Sequence, residues 1–138
     1  MISHLTLRPE HQQAMLDHVQ RHWPEEACGI LAGPGAQVAR VYLIENAHHS
    51  RTEYYMDPMQ QINAMLEIEA AGWDISAIFH SHPAGPARPS ATDIDRALYP
   101  DAVYIILAPA GQQNWSIQGF EIRDGQTRDV PLQVRPEA

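Results

Sequence analysis

Residues 78–95 read IFHSHPAGPARPSATDID and contain the pattern His-x-His-Pro-x6-Ser-x-x-Asp. On an extended chain, residues i and i+2 point to the same side. His80 and His82 therefore aim two imidazoles at one point. Zinc accepts imidazole nitrogen and carboxylate oxygen, and catalytic zinc usually takes three protein ligands, leaving a fourth position for water. Asp93, brought back by the intervening loop, is the natural third ligand. An acidic residue near the start of a helix also suits the positive end of the helix dipole. Pro83, Pro86 and Pro89 restrict that loop, and Gly85 permits the sharp turn it needs. With this chain's own residue frequencies, the five fixed positions would coincide in about one chain in ten thousand.

A metal activates water, but a carboxylate is still wanted to take the proton and pass it to a leaving amine. Glu25 and Glu26 are the candidates. Ser90 has two readings that draw on one hydroxyl: helix cap, or hydrogen-bond donor to the oxyanion of a tetrahedral intermediate.

The elements that must position these groups follow from periodicity. LTL (5–7) reads as a strand. Pro9 opens a helix to His22 whose core face is Met15, Leu16, Val19 and Trp23. EACGILAG (26–33) is apolar and ends in a Gly-Pro-Gly turn, and VARVYLIEN (38–46) is a strand. A polar loop follows, then a short strand at Tyr54–Met56. Asp57 caps a helix with Met59, Ile62, Met65, Leu66 and Ala70 toward the core, and Gly72 ends it. WDISAIF (73–79) delivers the histidines. Ser90 and Asp93 open a short helix to about Leu98, and VYIILA (103–108) is a buried strand. NWSIQGFEI (114–122) and TRDVPLQV (127–134) are later strands, the second weakened by Pro131. Without regular βαβ spacing, the expected class is α+β, helices around one mixed sheet, in a single domain over residues 1–138.

The 138 residues carry a formal net charge of −8, and all nine basic residues are arginine. No basic cluster offers a nucleic-acid footprint. Cys28 is alone, so no internal disulfide forms, and a reducing, cytoplasmic setting is expected. No apolar run approaches the ~20 residues of a membrane span, and no secretory signal is expected.

HSHPAGPARPSATD resembles the full signature of the JAMM (MPN-plus) metalloprotease family, and PEEACGILAG resembles its upstream Glu-x-x-Gly segment. The resemblance covers most of the chain, from the first helix through VYIILA. It implies a mixed, curved β-sheet flanked by helices and one zinc ion. It also implies hydrolysis of peptide or isopeptide bonds next to ubiquitin-like tails. Carried over, His80, His82 and Asp93 bind zinc, Ser90 supports the oxyanion, and Glu26 is the general acid/base. Glu26 is preferred over Glu25 because it alone forms Glu-x-x-Gly with Gly29. The short spacing between motifs resembles the small prokaryotic branch, which acts on sulfur-carrier or ubiquitin-like proteins with a Gly-Gly tail. A tail-binding module with structural zinc, and a hydrolase of other amides, are the alternatives; oligomeric state, a homodimer included, stays open.

The remaining candidates have ordinary explanations. Cys28 reads as a small buried hydrophobe rather than a redox switch. His11, His18 and His22 read as the polar flank of the first helix, and His48 and His49 as exposed loop. Tyr54, Tyr55 and Trp115 read as core or sheet-face aromatics, with the option that one lines a channel for an extended tail.

Overall fold

The computed structural model describes residues 2–137. Its elements are β1 (Leu5–Leu7), α1 (Pro9–His22), β2 (Cys28–Gly33), β3 (Arg40–Ile44), α2 (Pro58–Ala71) and β4 (Asp74–Ser81). They continue with α3 (Ala91–Asp95), β5 (Val103–Pro109), β6 (Trp115–Arg123), β7 (Gln126–Val130) and β8 (Leu132–Val134).

Six strands form one sheet in the order β3-β2-β4-β5-β6-β7. Only β4 and β5 run parallel in it; the other pairs are antiparallel. The mixed α+β class is therefore the one expected from the sequence. β2, β4 and β5 lie inside the sheet and are buried almost throughout, which explains their continuous apolar runs. Side-chain alternation splits the core into two layers. One holds Leu5, Met15, Val19, Phe79, Ile105 and Leu107 under α1 and β1. The other holds Cys28, Ile30, Ile44, Ile78 and Tyr104 under α2. Among the described residues, no helix is long and apolar enough to cross a membrane.

Several elements depart from the sequence reading, each for a local reason. TRDVPLQV splits at Pro131. Its second half leaves the main sheet and pairs in parallel with β1, where the Leu5 amide donates to the Pro131 carbonyl at 3.0 Å. The Tyr54–Met56 segment forms only a single bridge, Met56 to Asn46. α3 stops at Asp95. Trp23 is 57% exposed, because α1 ends before it can turn inward. His11 and His18, expected on a polar flank, are buried. His11 accepts the Arg8 amide at the start of α1, and His18 Nε2 lies 3.0 Å from the Cys28 carbonyl and 3.2 Å from that of Ile44.

The largest correction concerns α2. Met59, Ile62 and Leu66 share a face as their spacing predicts, but that face looks outward, at 64%, 50% and 61% exposure. Ala64 and Ile68 are the buried residues. Polar fasteners go with this rotation: Gln60 accepts the Glu45 amide at 2.8 Å and Arg40 donates to Glu67 at 2.8 Å, tying α2 to β3 along its flank. Spacing shows which residues share a face and not which face is covered. The caps are as expected, with Asp57 accepting the Gln60 amide at 3.0 Å and Gly72 in the left-handed region at φ 72°.

Ile68→Ala should cost about 2–4 kcal/mol in chemical denaturation, as for other buried aliphatic truncations. Leu66→Ala, on the outward face, should change stability by less than about 0.5 kcal/mol.

Candidate active site

β4 hands its last residues to the site. His80 lies in β4 and His82 one residue beyond its end, where the His82 amide still donates to the Leu107 carbonyl of β5 at 2.9 Å. β2 pairs with β4 so that Cys28 faces His80. The ladder runs one step further: the Ser81 amide donates to the Ala27 carbonyl at 3.0 Å, and the Ala27 amide donates to Ser81 Oγ at 2.9 Å. By the same register Glu26 lies opposite His82, and alternation sends its side chain to the face that carries both histidines. Gly29 meets the other demand of this pairing. A Cβ there would collide with the Phe79 ring and the Tyr42 carbonyl oxygen. The Glu-x-x-Gly spacing thus pairs a carboxylate on one face with close packing on the other.

Asp93 arrives from α3. Its Oδ2 lies 2.9 Å from His82 Nε2 and 3.2 Å from His80 Nε2, and the two imidazole nitrogens are 3.0 Å apart. The carboxylate is held by Ser90, whose amide donates to Oδ2 at 2.9 Å while the Asp93 amide donates to Ser90 Oγ at 3.0 Å. Ser90 is therefore the N-cap of α3, and in accepting that bond its hydroxyl keeps its proton free to donate. His82 is oriented through its other nitrogen: Nδ1–H donates to the Pro86 carbonyl at 2.8 Å. That bond fixes the ring orientation and turns Nε2 toward the other donors. Burial lowers the proton affinity of His82, but its hydrogen bonds to Asp93 and the Pro86 carbonyl outweigh this and raise it above the ordinary value.

Two imidazole nitrogens and a carboxylate oxygen within about 3 Å of one another are held together by imidazole protons shared with the carboxylate or by a metal ion bound among them. The three donors form the group capable of holding a metal among the described residues. Their separations lie within a few tenths of the ~3.3 Å edge of a tetrahedron built on zinc–nitrogen and zinc–oxygen bonds. The residues present fit a zinc ion.

The electrostatics divide the carboxylates. Burial alone would raise Asp93, but hydrogen bonds from His80 and His82 outweigh it and hold the carboxyl well below the usual range. Burial lowers His80, keeping its imidazole neutral. Glu26 goes the other way: burial pushes its carboxyl up to about 8, with nearby His82 pulling it back. It is 4% exposed, and Oε1 has no hydrogen-bond partner. A buried carboxyl with a free oxygen and an affinity for protons near neutral pH is suited to acid/base work. Glu25, by contrast, lies 3.4 Å from exposed His49 as a surface charge. Cys28 is fully buried and its thiol is pushed up to about 12, so it behaves as a small hydrophobe.

Beside the donors lies a cavity of about 600 Å³ whose walls include Tyr54, Tyr55, Ile78, Tyr104 and Arg96. Tyr54 and Tyr55 border this cavity, Tyr54 also packing against the α2-side core, whereas Trp115 packs against the α1-side core. His48 is exposed and also borders this cavity, tilted against Tyr55. One residue that the sequence reading passed over is Asn46, buried in the loop after β3 and hydrogen-bonded to the Glu26 carbonyl at 3.1 Å. Only its place at the end of an apolar strand run could have flagged it.

Residues 8–118 match the family described as prokaryotic homologs of the JAB domain. The chain belongs to that family. It is 34% identical over 132 residues to the CysO-cysteine peptidase of Mycobacterium tuberculosis, covering 94% of this chain and 90% of that protein. A desampylase of Haloferax volcanii is 35% identical over 88% of this chain and 94% of its own length. A probable TtuB-protein conjugate cleaving protease of Thermus thermophilus is 38% identical over 70% of each chain. The solution structure of a Desulfitobacterium hafniense protein superposes with a TM-score of 0.84 at 35% identity, covering 95% of this chain and 92% of that one. A JAB1/MPN domain protein of Archaeoglobus fulgidus, at 17% identity and TM-score 0.56 over 94% of this chain and 97% of that one, shares the fold. With these relatives, the JAB-domain chain is a peptidase, the enzyme class expected from residues 80–93.

The raised Glu26 carboxyl carries a stability signature. The folded protein holds this proton up to about pH 8, against 4.5 for an ordinary glutamate. Its contribution is complete below pH 4.5 and is lost as pH rises through 8. Between pH 5 and 8.5, metal-free wild type should lose on the order of a few kcal/mol more stability than metal-free Glu26→Gln. Parallel denaturation curves of the two would refute the assignment of a buried, proton-retaining Glu26.

Proposed function

We propose that this chain is a zinc-dependent peptidase that cuts the bond following the Gly-Gly tail of a sulfur-carrier or ubiquitin-like protein in the cytoplasm. One observation carries the reading: the β2–β4 register sets a buried, unpartnered carboxyl beside three converging metal donors. His80, His82 and Asp93 would hold the ion. Zinc, when bound, supplies an electrophilic centre and lowers the pKa of water toward neutrality.

The chain's own residues do the rest. Glu26 takes the water proton on its free carboxylate oxygen and returns it to the departing amine, cycling between two states that its burial brings close in energy near neutral pH. The Ser90 hydroxyl donates to the oxygen of the scissile carbonyl as negative charge develops. Asp93 stays ionised and His80 neutral, the protonation states that a metal requires.

The cavity supports an extended tail. Glu53, Tyr55 and Asp57 direct their bonded backbone groups toward residues 45–47: Asn46 Nδ2 donates to Glu53, Ala47 to Tyr55, and the Asp57 amide to Glu45. By alternation, the backbone groups of Tyr54 and Met56 turn to the opposite side, an edge against which a peptide can lie as an added strand. Two glycines at the cut leave room near His80 and Asp93, and an apolar residue upstream fits against Tyr54, Ile78 and Tyr104. The names of the relatives, a CysO-cysteine peptidase and a protease cleaving TtuB–protein conjugates, agree with a carrier-type substrate.

Zinc-loaded wild type incubated with a sulfur-carrier protein extended past Gly-Gly should trim it to the Gly-Gly terminus by intact mass. Glu26→Gln should retain zinc while turnover falls at least ~10³-fold, and a chelator should stop the wild type. Retained activity in metal-loaded Glu26→Gln would refute the role of Glu26. If wild type and variant bind the carrier and neither cuts, a tail-binding module replaces the peptidase.

A further inference from the structure

Asn46 is 4% exposed, and every hydrogen-bonding position of its amide is used. Nδ2 donates to the carbonyls of Glu26 and Glu53, at 3.1 and 3.0 Å. Oδ1 accepts the amides of His48 and Tyr55, at 3.1 and 3.0 Å. These four partners belong to two groups that the chemistry needs. Glu26 precedes β2: its amide donates to the Ser50 carbonyl at 2.8 Å, the strand ladder begins only at Ala27, and the Glu26 carbonyl is left to Asn46. Glu53 and Tyr55 flank Tyr54, whose ring stacks on the His80 imidazole with centroids 4.6 Å apart and planes at 28°.

His80 differs from His82 in how its ring is oriented. A metal-binding histidine almost always fixes its plane by donating the other ring nitrogen. His82 does so to Pro86, whereas His80 Nδ1 is buried with no hydrogen-bond partner. The stacked Tyr54 takes over that task, and Tyr54 is held from both sides by Asn46.

We propose that Asn46 is a positioning residue that sets the Glu26 carboxylate and, through Tyr54, the His80 ring from a single buried anchor. This rests on the reading of Glu26 and the three donors given above. One amide in the loop between β3 and α2 thereby couples the spacing of acid/base and metal to the wall of the tail channel.

Three variants separate the parts. Asn46→Asp keeps the acceptor for His48 and Tyr55 but turns a carboxylate oxygen toward the Glu26 and Glu53 carbonyls. Asn46→Ala removes all four bonds. Tyr54→Leu removes the stacking and leaves Asn46 intact. Zinc affinity is read by competition with a chromogenic chelator, and kcat and KM on the extended carrier protein at saturating zinc.

Both Asn46 variants should bind zinc about tenfold more weakly. Their kcat should fall ~10–100-fold, with KM in Asn46→Asp changing less than about threefold. Tyr54→Leu should reproduce the weaker zinc binding with a smaller loss of kcat. Combined with Asn46→Ala it should add little further zinc loss, as expected of residues acting through one chain of contacts. Folded Asn46 variants with a lower Tm but wild-type zinc affinity and kcat would show that the residue serves the fold alone and overturn the proposal. If the Asn46 variants do not fold, unchanged zinc affinity in Tyr54→Leu overturns it. Failure of wild type to cut the carrier would count against the substrate reading, while the zinc affinities still decide the role of Asn46.

Discussion

The pairing of β2 with β4 is the constraint on which the site depends. Facing Cys28 with His80 fixes the parity of both strands, so Glu26 and His82 inherit the same face without a contact of their own to enforce it. A slip of one residue would send Glu26 to the α1 side and leave no buried carboxyl on the face of the imidazoles. The pairing is held by burial on both faces, with Ile30 and Ile78 on one side and Leu31, Ala77 and Phe79 on the other. The geometry of the candidate site is thus a by-product of the best-packed part of the protein, and a site on rigid strands keeps its spacing better than one built on loops.

The two carboxylates show how one fold gives like groups opposite behaviour. Asp93 sits among donors and is ionised; Glu26 sits where burial dominates and holds its proton. Divergent environments of this kind separate a ligand from a proton carrier. Ser90 joins them from the surface, capping a five-residue helix whose main work is to present Asp93 at the mouth of the cavity.

Much of this was legible in the sequence because it is local. Two histidines two apart at a strand end, a serine and an aspartate in one capping box, and a proline-rich loop between them are set by short-range geometry, as is the aspartate cap of α2. The relation of Glu26 to that motif lies 54 residues away in sequence (80 minus 26) and rests on strand register, which the chain does not print; only the resemblance supplied it. The misread features are those where tertiary contacts decide. The rotation of α2 goes with its ties to β3 through Gln60 and Glu67, the burial of His18 depends on two strand-end carbonyls, and the second half of TRDVPLQV is claimed by β1. Asn46 was invisible because its partners come from three separate stretches of chain.

The outward apolar face of α2 also bears on dynamics. A helix that buries only Ala64 and Ile68 against the sheet has little hydrophobic surface to lose when it lifts, and the polar ties at Gln60 and Glu67 exchange readily for water. α2 follows directly on the Tyr54–Met56 wall, while the opposite wall, Ile78 and Tyr104, belongs to the rigid sheet. The cavity is therefore bounded on one side by the least deeply anchored long element and on the other by the most. Movement of that helix would leave the β2–β4 register in place, but through Tyr54 it would reach the His80 ring, so the give in this wall and the orientation of that imidazole are linked.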